Sequence, residues 1–509
     1  MPHLEQHGGV TQLVLEGKPF LMLAAELHNS SSSSLDYMKD IWPRLAATPI
    51  NTALTPLSWE LIESQQGKYD FTLVDGLLEQ ARQNRLKVVF LWLASWKNGM
   101  SSYAPVWVKR DTRQFPRAVL KENRIGEVLS TFGEATMQAD GRAFAAVMRH
   151  LRETDSNQHT VLMMQVENEV GVLGDSRDRS APANEAFAEL VPKQLLNYMQ
   201  QHRETLMPEF REIWQKNGFK QSGTWQEVFG SGLRTDQIFM AWNYGRYVRH
   251  VAAAGKAEYP LPMYVNTWLG DLDTPPGKFP SGGPLPEVID VWRAAGEGID
   301  IYSPDIYAPD FAGWCRRYHR SGNPLFIPET RGGADGKANV FYAIGEHSGM
   351  GFAPFGIDSW SDRENELGKS YEALMQLSPA ILKCQRNGNI TGFLLNRTHP
   401  DVSVTMNGYR LDISLDDIFG NRAETGYGLV MATGPDEFLG AGSGFRVSFV
   451  PDSAEPAHAG ISLIEEGRMV DGTWKPGRRL NGDENDQGRY WRFSKDRIYV
   501  ERSVVYRWE

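Results

Sequence analysis

Residues Val161–Gly171 read VLMMQVENEVG, six mostly apolar residues followed by two carboxylates that bracket an asparagine. A strand ending this way delivers a hydrogen-bonding amide, Asn168, and a proton-transferring carboxyl, Glu169, to one place. A second carboxylate, Glu329, follows the apolar run PLFIP. Two carboxylates on different strands are what retaining cleavage of a glycosidic bond needs. One protonates the leaving oxygen and later activates water; the other attacks the anomeric carbon, and the two carboxyls stand roughly 5–5.5 Å apart across the bond. Glu167 stands two residues before Glu169, so strand periodicity places both on one face. One step deeper, Glu167 is expected inside the barrel as a hydrogen-bonded structural carboxylate.

Other residues that can bind or stack end neighbouring apolar runs: Glu26 and His28, Trp59, then Trp96, Lys97 and Asn98, and later Trp268, Tyr307 and Trp360. Tyr307 is preferred over Tyr302 because it lies at its strand's end. Tryptophans at strand ends suit both core packing and stacking on sugar faces. Trp107, in YAPVWVKRD, is read either as a rim residue or as part of a packed surface turn. The chain has no Cys/His cluster with metal-ligand spacing, no phosphate cradle and no G-x-S-x-G, so the expectation is no metal and no cofactor.

The elements that must position these groups are eight apolar runs, over Pro19–His28, Pro49–Trp59, Leu86–Trp96, Thr160–Gly171, Pro262–Gly270, Ile299–Tyr307, Pro324–Gly333 and Gly351–Trp360. They are near-continuously apolar, as strands buried on both faces are. Helical spacing marks residues 35–47, 72–85, 141–155, 187–206, 285–298 and 366–382. The alternation predicts an α/β fold, a (β/α)8 TIM barrel with its site at the C-terminal strand ends. In such a barrel the fourth and seventh ends, carrying Glu169 and Glu329, face each other across the mouth. A doubly wound sheet would call for a Gly-rich loop after the first strand, and AAELHNSSSSS has none. Ser33 or Ser34 is the expected N-cap of the first helix. Past residue 381 the pattern changes to short alternating runs broken by Gly, Asn and Asp. The predicted domains are therefore a catalytic barrel over 1–381 and an antiparallel β-sandwich over 382–509. Trp474, Trp491 and Trp508 read as core or interface residues of a bracing sandwich, one that a homodimer could share.

These segments together resemble glycoside hydrolase family 35, the β-galactosidase family of clan A. QVENEVG is very close to that family's Q-[IV]-E-N-E-x-G signature, AAELHN is similar to its strand-one segment, and NTALTPLSWELIESQQGKYDFT matches its N-T-x-x-T-Y-x-x-W-x-x-x-E-x-x-x-G-x-Y-D-F stretch. The resemblance covers about residues 10–380. It implies Glu169 as acid/base, Glu329 as nucleophile and Asn168 as the partner of the sugar 2-hydroxyl. It also implies Glu26 and Asn98 as hydroxyl ligands, Tyr307 as the holder of the nucleophile, and Trp268 and Trp360 as sugar platforms. The implied activity is removal of terminal β-D-galactose from oligo- or polysaccharides, plant-wall galactosides such as xyloglucan side chains among them. The third strand departs from the family: it reads LWLASWKNGM where R-x-G-P-Y-x-x-x-E is usual. Other clan A β-glycosidases (glucosidase, arabinosidase) and a non-catalytic sugar-binding protein are the alternatives.

Composition narrows the partners. Of 509 residues, 53 are Lys or Arg and 63 are Asp or Glu, a net charge of −10. An acidic surface disfavours nucleic acid and anionic membranes. No run reaches the length of a membrane span. The first residues lack the basic and apolar regions of a signal peptide. The protein is expected to be cytosolic or the trimmed form of an exported one. Cys315 and Cys384 are expected to be free core thiols.

Overall fold

The computed structural model describes every residue except 321, 361–365, 418–419, 421 and 454. Eight strands close into one parallel barrel in simple chain order. They are β1 (Met22–Glu26), β2 (Thr52–Ser58), β3 (Lys87–Lys97), β4 (Val161–Asn168), β5 (Met263–Trp268), β6 (Ile301–Ile306), β7 (Phe326–Thr330) and β8 (Gly351–Pro354). All eight expected strands are present. β1, β2, β4, β6, β7 and β8 are buried at every position. That is why their sequences carry no alternation.

The flanking helices used below are α1 (Leu35–Ala47), α2 (Thr72–Gln83), α3 (Glu134–Asp155), α4 (Leu233–Glu258), α5 (Gly333–Glu346) and α6 (Glu366–Asn387). Ser34 caps α1, its hydroxyl accepting the Tyr37 N–H at 3.2 Å. α3 and α4 pack closely: Phe144 fills the space beside Gly255, where a Cβ would come within 2.3 Å of the ring. Two expected helices are shorter than the spacing predicts. The pattern over 187–206 is split into Ala181–Ala188 and Lys193–Gln201, because Pro192 cannot continue a helix and serves as the second one's N-cap. The pattern over 285–298 yields only Ile289–Ala294 after a 3-10 turn.

After α6 the chain forms two antiparallel sheets. Their strands are β9 (Ile390–Asn396), β10 (Asp401–Met406), β11 (Tyr409–Leu415), β12 (Thr425–Gly434), β13 (Glu437–Ser443), β14 (Phe445–Pro451), β15 (His458–Val470), β16 (Thr473–Arg479), β17 (Trp491–Phe493) and β18 (Tyr499–Trp508). One sheet runs β9-β12-β13-β18-β15-β16, the other β10-β11-β14-β17. β11 shows the period-two signature, with Tyr409, Leu411, Ile413 and Leu415 buried and the residues between them not. The core includes Val430, Phe438, Phe445 and Trp491. Trp491 is fully buried, whereas Trp508 is half exposed. Both cysteines are free and buried. Among the described residues no helix is long and apolar enough to cross a membrane.

Candidate active site

By contact density the chain forms two compact units, residues 1–3, 26–44 and 52–308, and residues 4–25, 45–51 and 309–509. Each carries part of the predicted site.

In the first unit, β4 ends at Asn168 and Glu169 follows it. Glu167 and Glu169 both have left-handed backbones, with φ of +62° and +42°. Each costs on the order of 1–2 kcal/mol for a residue with a Cβ, and such strain persists only where the surroundings over-determine it. The two left-handed residues interrupt the regular two-residue period of the strand. Glu167 turns toward the flanking helices, where it meets Asp140 of α3, not the barrel interior. It is hydrogen-bonded, as a structural carboxylate should be: its two oxygens accept the N–H groups of Ser95 and Trp96. Burial, then the charge of Asp140, pushes its proton affinity well above the usual carboxylate range.

Asn168 is 1% exposed, and among the described residues neither amide atom has a hydrogen-bond partner. Buried amides are nearly always satisfied, so an amide with no partner among the described residues has bonding capacity open to a ligand. The Glu169 N–H donates to Asn266 Oδ1 at 3.0 Å, and Asn266 Nδ2 donates to Asp305 Oδ2 at 2.8 Å. Three successive tips, β4, β5 and β6, are thereby tied together. Asn266 was not among the expected site residues; its signal was a polar residue inside the apolar run MYVNTW. Glu169 itself is 6% exposed.

Glu26 closes β1 and is buried, and His28 is half-buried. Trp268 and Tyr307, at the ends of β5 and β6, are 40% and 37% exposed, enough to leave ring surface for a ligand. Tyr302 is buried against Trp292. Trp59 and Trp96 are fully buried core residues and present no platform. Trp107 packs edge-on against Trp59 and Phe115, as a packed turn does. Asn98 occupies a tight turn in which Lys97 and Met100 exchange backbone bonds. Asn98 and Gly99 have φ of +52° and +66°, which is the Asn-Gly signature of a type I′ turn. The Asn98 side chain accepts from Lys97 Nζ at 2.6 Å.

In the second unit, Glu329 lies in β7 and is 7% exposed. The β7–β8 ladder shifts register there: Ile327 pairs with Phe352 and Thr330 with Pro354. This bulge falls on Pro328 and Glu329. Proline has no N–H to lose from the ladder, and a bulge re-aims the side chain it carries. The Trp360 ring lies over Gly332, where a Cβ would come within 2.0 Å of it. Among the described residues no group of three or more His, Cys, Asp or Glu could hold a metal ion.

The profile of family 42 glycoside hydrolases, described as beta-galactosidase, matches residues 38–228. A domain of unknown function, DUF5597, matches residues 367–492. A beta-galactosidase from Xanthomonas manihotis is 26% identical over 172 residues, which are 32% of this chain and 26% of that protein. The chain thus matches about a quarter of that relative's length. Two solved structures are similar at low identity. The beta-galactosidase of Bacillus circulans sp. alkalophilus has a TM-score of 0.48 at 14% identity, over 72% of this chain and 57% of that one. The catalytic domain of beta-amylase from Paenibacillus polymyxa has 0.48 at 11%, over 68% and 94%. The profile and the curated relative support a clan A glycoside hydrolase; the matching profile is that of family 42, where the motifs had pointed to family 35.

Proposed function

We propose that the protein is a retaining, exo-acting β-galactosidase. Glu169 is the general acid/base and Glu329 the nucleophile. The observation that carries this reading is Asn168, a buried amide with both polar atoms unused among the described residues, next to a carboxyl on a strained strand tip. Hydrogen bonds to the sugar 2-hydroxyl that strengthen in the transition state are worth several kcal/mol in such enzymes, and Asn168 has the atoms for them. Glu26 binds sugar hydroxyls, Tyr307 holds the nucleophile, and Trp268 and Trp360 flank the sugar. The substrate class is terminal β-D-galactose on oligo- or polysaccharides. The family-35-like motifs and the family 42 match both favour that sugar.

The mechanism needs no cofactor. Glu329 attacks the anomeric carbon while Glu169 gives its proton to the departing oxygen. Glu169 then takes a proton from water, which releases the sugar from Glu329 with net retention.

Glu329→Gly tests this on nitrophenyl β-galactoside, with and without azide. The expected result is loss of turnover and rescue as the α-galactosyl azide. A variant that stays active without azide refutes the nucleophile. One observation favours a neighbouring specificity. Asn98 is committed to a turn and to Lys97, so β3 offers a different hydroxyl contact from the family 35 pattern. A panel of nitrophenyl glycosides decides; faster cleavage of the glucoside or arabinoside moves the protein to another clan A β-glycosidase.

A further inference from the structure

β3 and β4 run in parallel register as far as Trp92 opposite Val166, and the next pair is Lys97 opposite Asn168. On β3 the residues Leu93 to Trp96 lie between those pairs, whereas on β4 only Glu167 does. A ladder cannot satisfy the N–H groups of such a bulge, and buried N–H groups do not go unpaired. The Glu167 side chain takes over: Oε1 accepts the Ser95 N–H at 3.2 Å and Oε2 the Trp96 N–H at 2.8 Å.

Asp140 of α3 stands behind Glu167 and is hydrogen-bonded to it. Asp140 in turn accepts from Trp92 Nε1 at 2.9 Å, Ser95 Oγ at 2.6 Å and the Tyr247 hydroxyl of α4 at 3.3 Å. Glu167, Asp140, Trp92, Ser95 and Tyr247 are all buried. Two carboxyls in contact away from water cannot both ionise. Burial and the Asp140 charge make Glu167 the one that keeps its proton. The cluster's hydrogen bonds thus fix Asp140 and, through it and the Ser95 and Trp96 N–H groups, the Glu167 side chain, which belongs to the residue before Asn168.

We propose that Glu167, backed by Asp140, is the positioning residue of the active site: it plugs the β3 bulge and fixes the left-handed tip that presents Asn168 and Glu169. This rests on the reading of Glu169 as acid/base. Productive geometry tolerates displacements of only about 0.5 Å, so a loosened tip impairs proton donation first. That loss depends on the leaving group. An alkoxide needs the proton and a dinitrophenolate does not, whereas general destabilisation lowers both rates alike.

The experiment compares alkyl and 2,4-dinitrophenyl glycosides of the sugar that the wild type hydrolyses. Glu167→Ala is expected to lose roughly 10²-fold in kcat/KM on the alkyl glycoside and less than about 10-fold on the dinitrophenyl one. Glu167→Gln keeps one acceptor and gives an N–H to Asp140, and is expected to recover most of the loss. Equal losses on both substrates, or none, overturn the proposal. Should Glu167→Ala not fold, Asp140→Asn carries the same test, with the same selective loss expected and an equal loss counting against it. Glu169→Gln, run alongside, separates the two ideas. If it retains alkyl glycoside activity, the acid/base reading fails. If it shows the selective loss and Glu167→Ala does not, only the positioning role fails.

Discussion

Glu167 in the barrel and Glu501 in the sandwich are both fully buried, and both hold their protons far above the usual carboxylate range. Their surroundings differ. Glu167 accepts two backbone N–H groups and leans on an aspartate that is itself bonded three times. Glu501 lies on β18 opposite Gly440 and Glu466, with Trp491 and Phe493 packed on that glycine. Among the described residues the Trp491 indole N–H faces Glu501 without completing a well-formed hydrogen bond, and lowers its proton affinity less than burial raises it. Burial is the main reason for its raised proton affinity, and the Glu466 charge adds to it. A buried carboxyl wrapped in donors fixes geometry; one left among aromatic rings only costs stability. Asn168 is a third case, buried at a strand tip and unsatisfied among the described residues, where a ligand can satisfy it.

The contrast can be broken at several points. Asn168→Ala is expected to have the largest effect. The amide makes no hydrogen bond among the described residues, so melting should not suffer. The kcat/KM should fall roughly 10²–10³-fold through loss of the 2-hydroxyl contact. A variant that melts early while keeping its kcat/KM would make Asn168 a structural residue like Glu167.

His347 extends the comparison to a base. It is 7% exposed, its Nε2 has no hydrogen-bond partner among the described residues, and its Nδ1 lies 3.0 Å from that of His319. Burial, helped by the charges of His319 and Arg316, pushes its pKa down to about 3. Native His347 therefore resists a proton that the unfolded chain accepts near 6.5. Its contribution is intact above that pH and is lost as pH falls toward 3, by up to about 1.4 kcal/mol per unit. Thermal melts at pH 7 and pH 5 should show the wild type losing more than His347→Asn. Parallel losses would remove His347 as the source.

Glu501→Gln should have the smallest effect, on the order of 1 kcal/mol. The native carboxyl keeps its proton where the unfolded one releases it near 4.5. Stability from this group is thus complete at low pH and declines as pH rises. The variant should melt a few degrees above the wild type at pH 8 and show little difference at pH 4. A variant less stable at pH 8 would mean that the carboxylate is in fact partnered.

Much of the barrel was legible because burial on both faces writes itself as continuous apolar runs. α4 was not: its buried residues include Ile238, Phe239, Met240, Ala241 and Trp242 in succession, so no single stripe marks it as a helix. Yet α4 supplies Tyr247 to the cluster behind Glu167. Asn98 carried a readable Asn-Gly turn signal that the strand-end reading overrode. Trp59 and Trp96 could not be separated from platforms by position, since a strand end that lies under a loop is core.

By itself, the sequence determined the element order, the eight strands, the change to alternating sheets after α6, and the chemistry available at the strand tips. Hydrophobic periodicity and residue type are local properties, and they survive without coordinates. The tertiary structure alone decided which way those tips point. Bulges at β3 and β7 and left-handed residues at Glu167 and Glu169 cancel the period of two on which a linear reading depends. At Glu167 it is contacts from β3, α3 and α4, distant in sequence, that hold such a backbone in place.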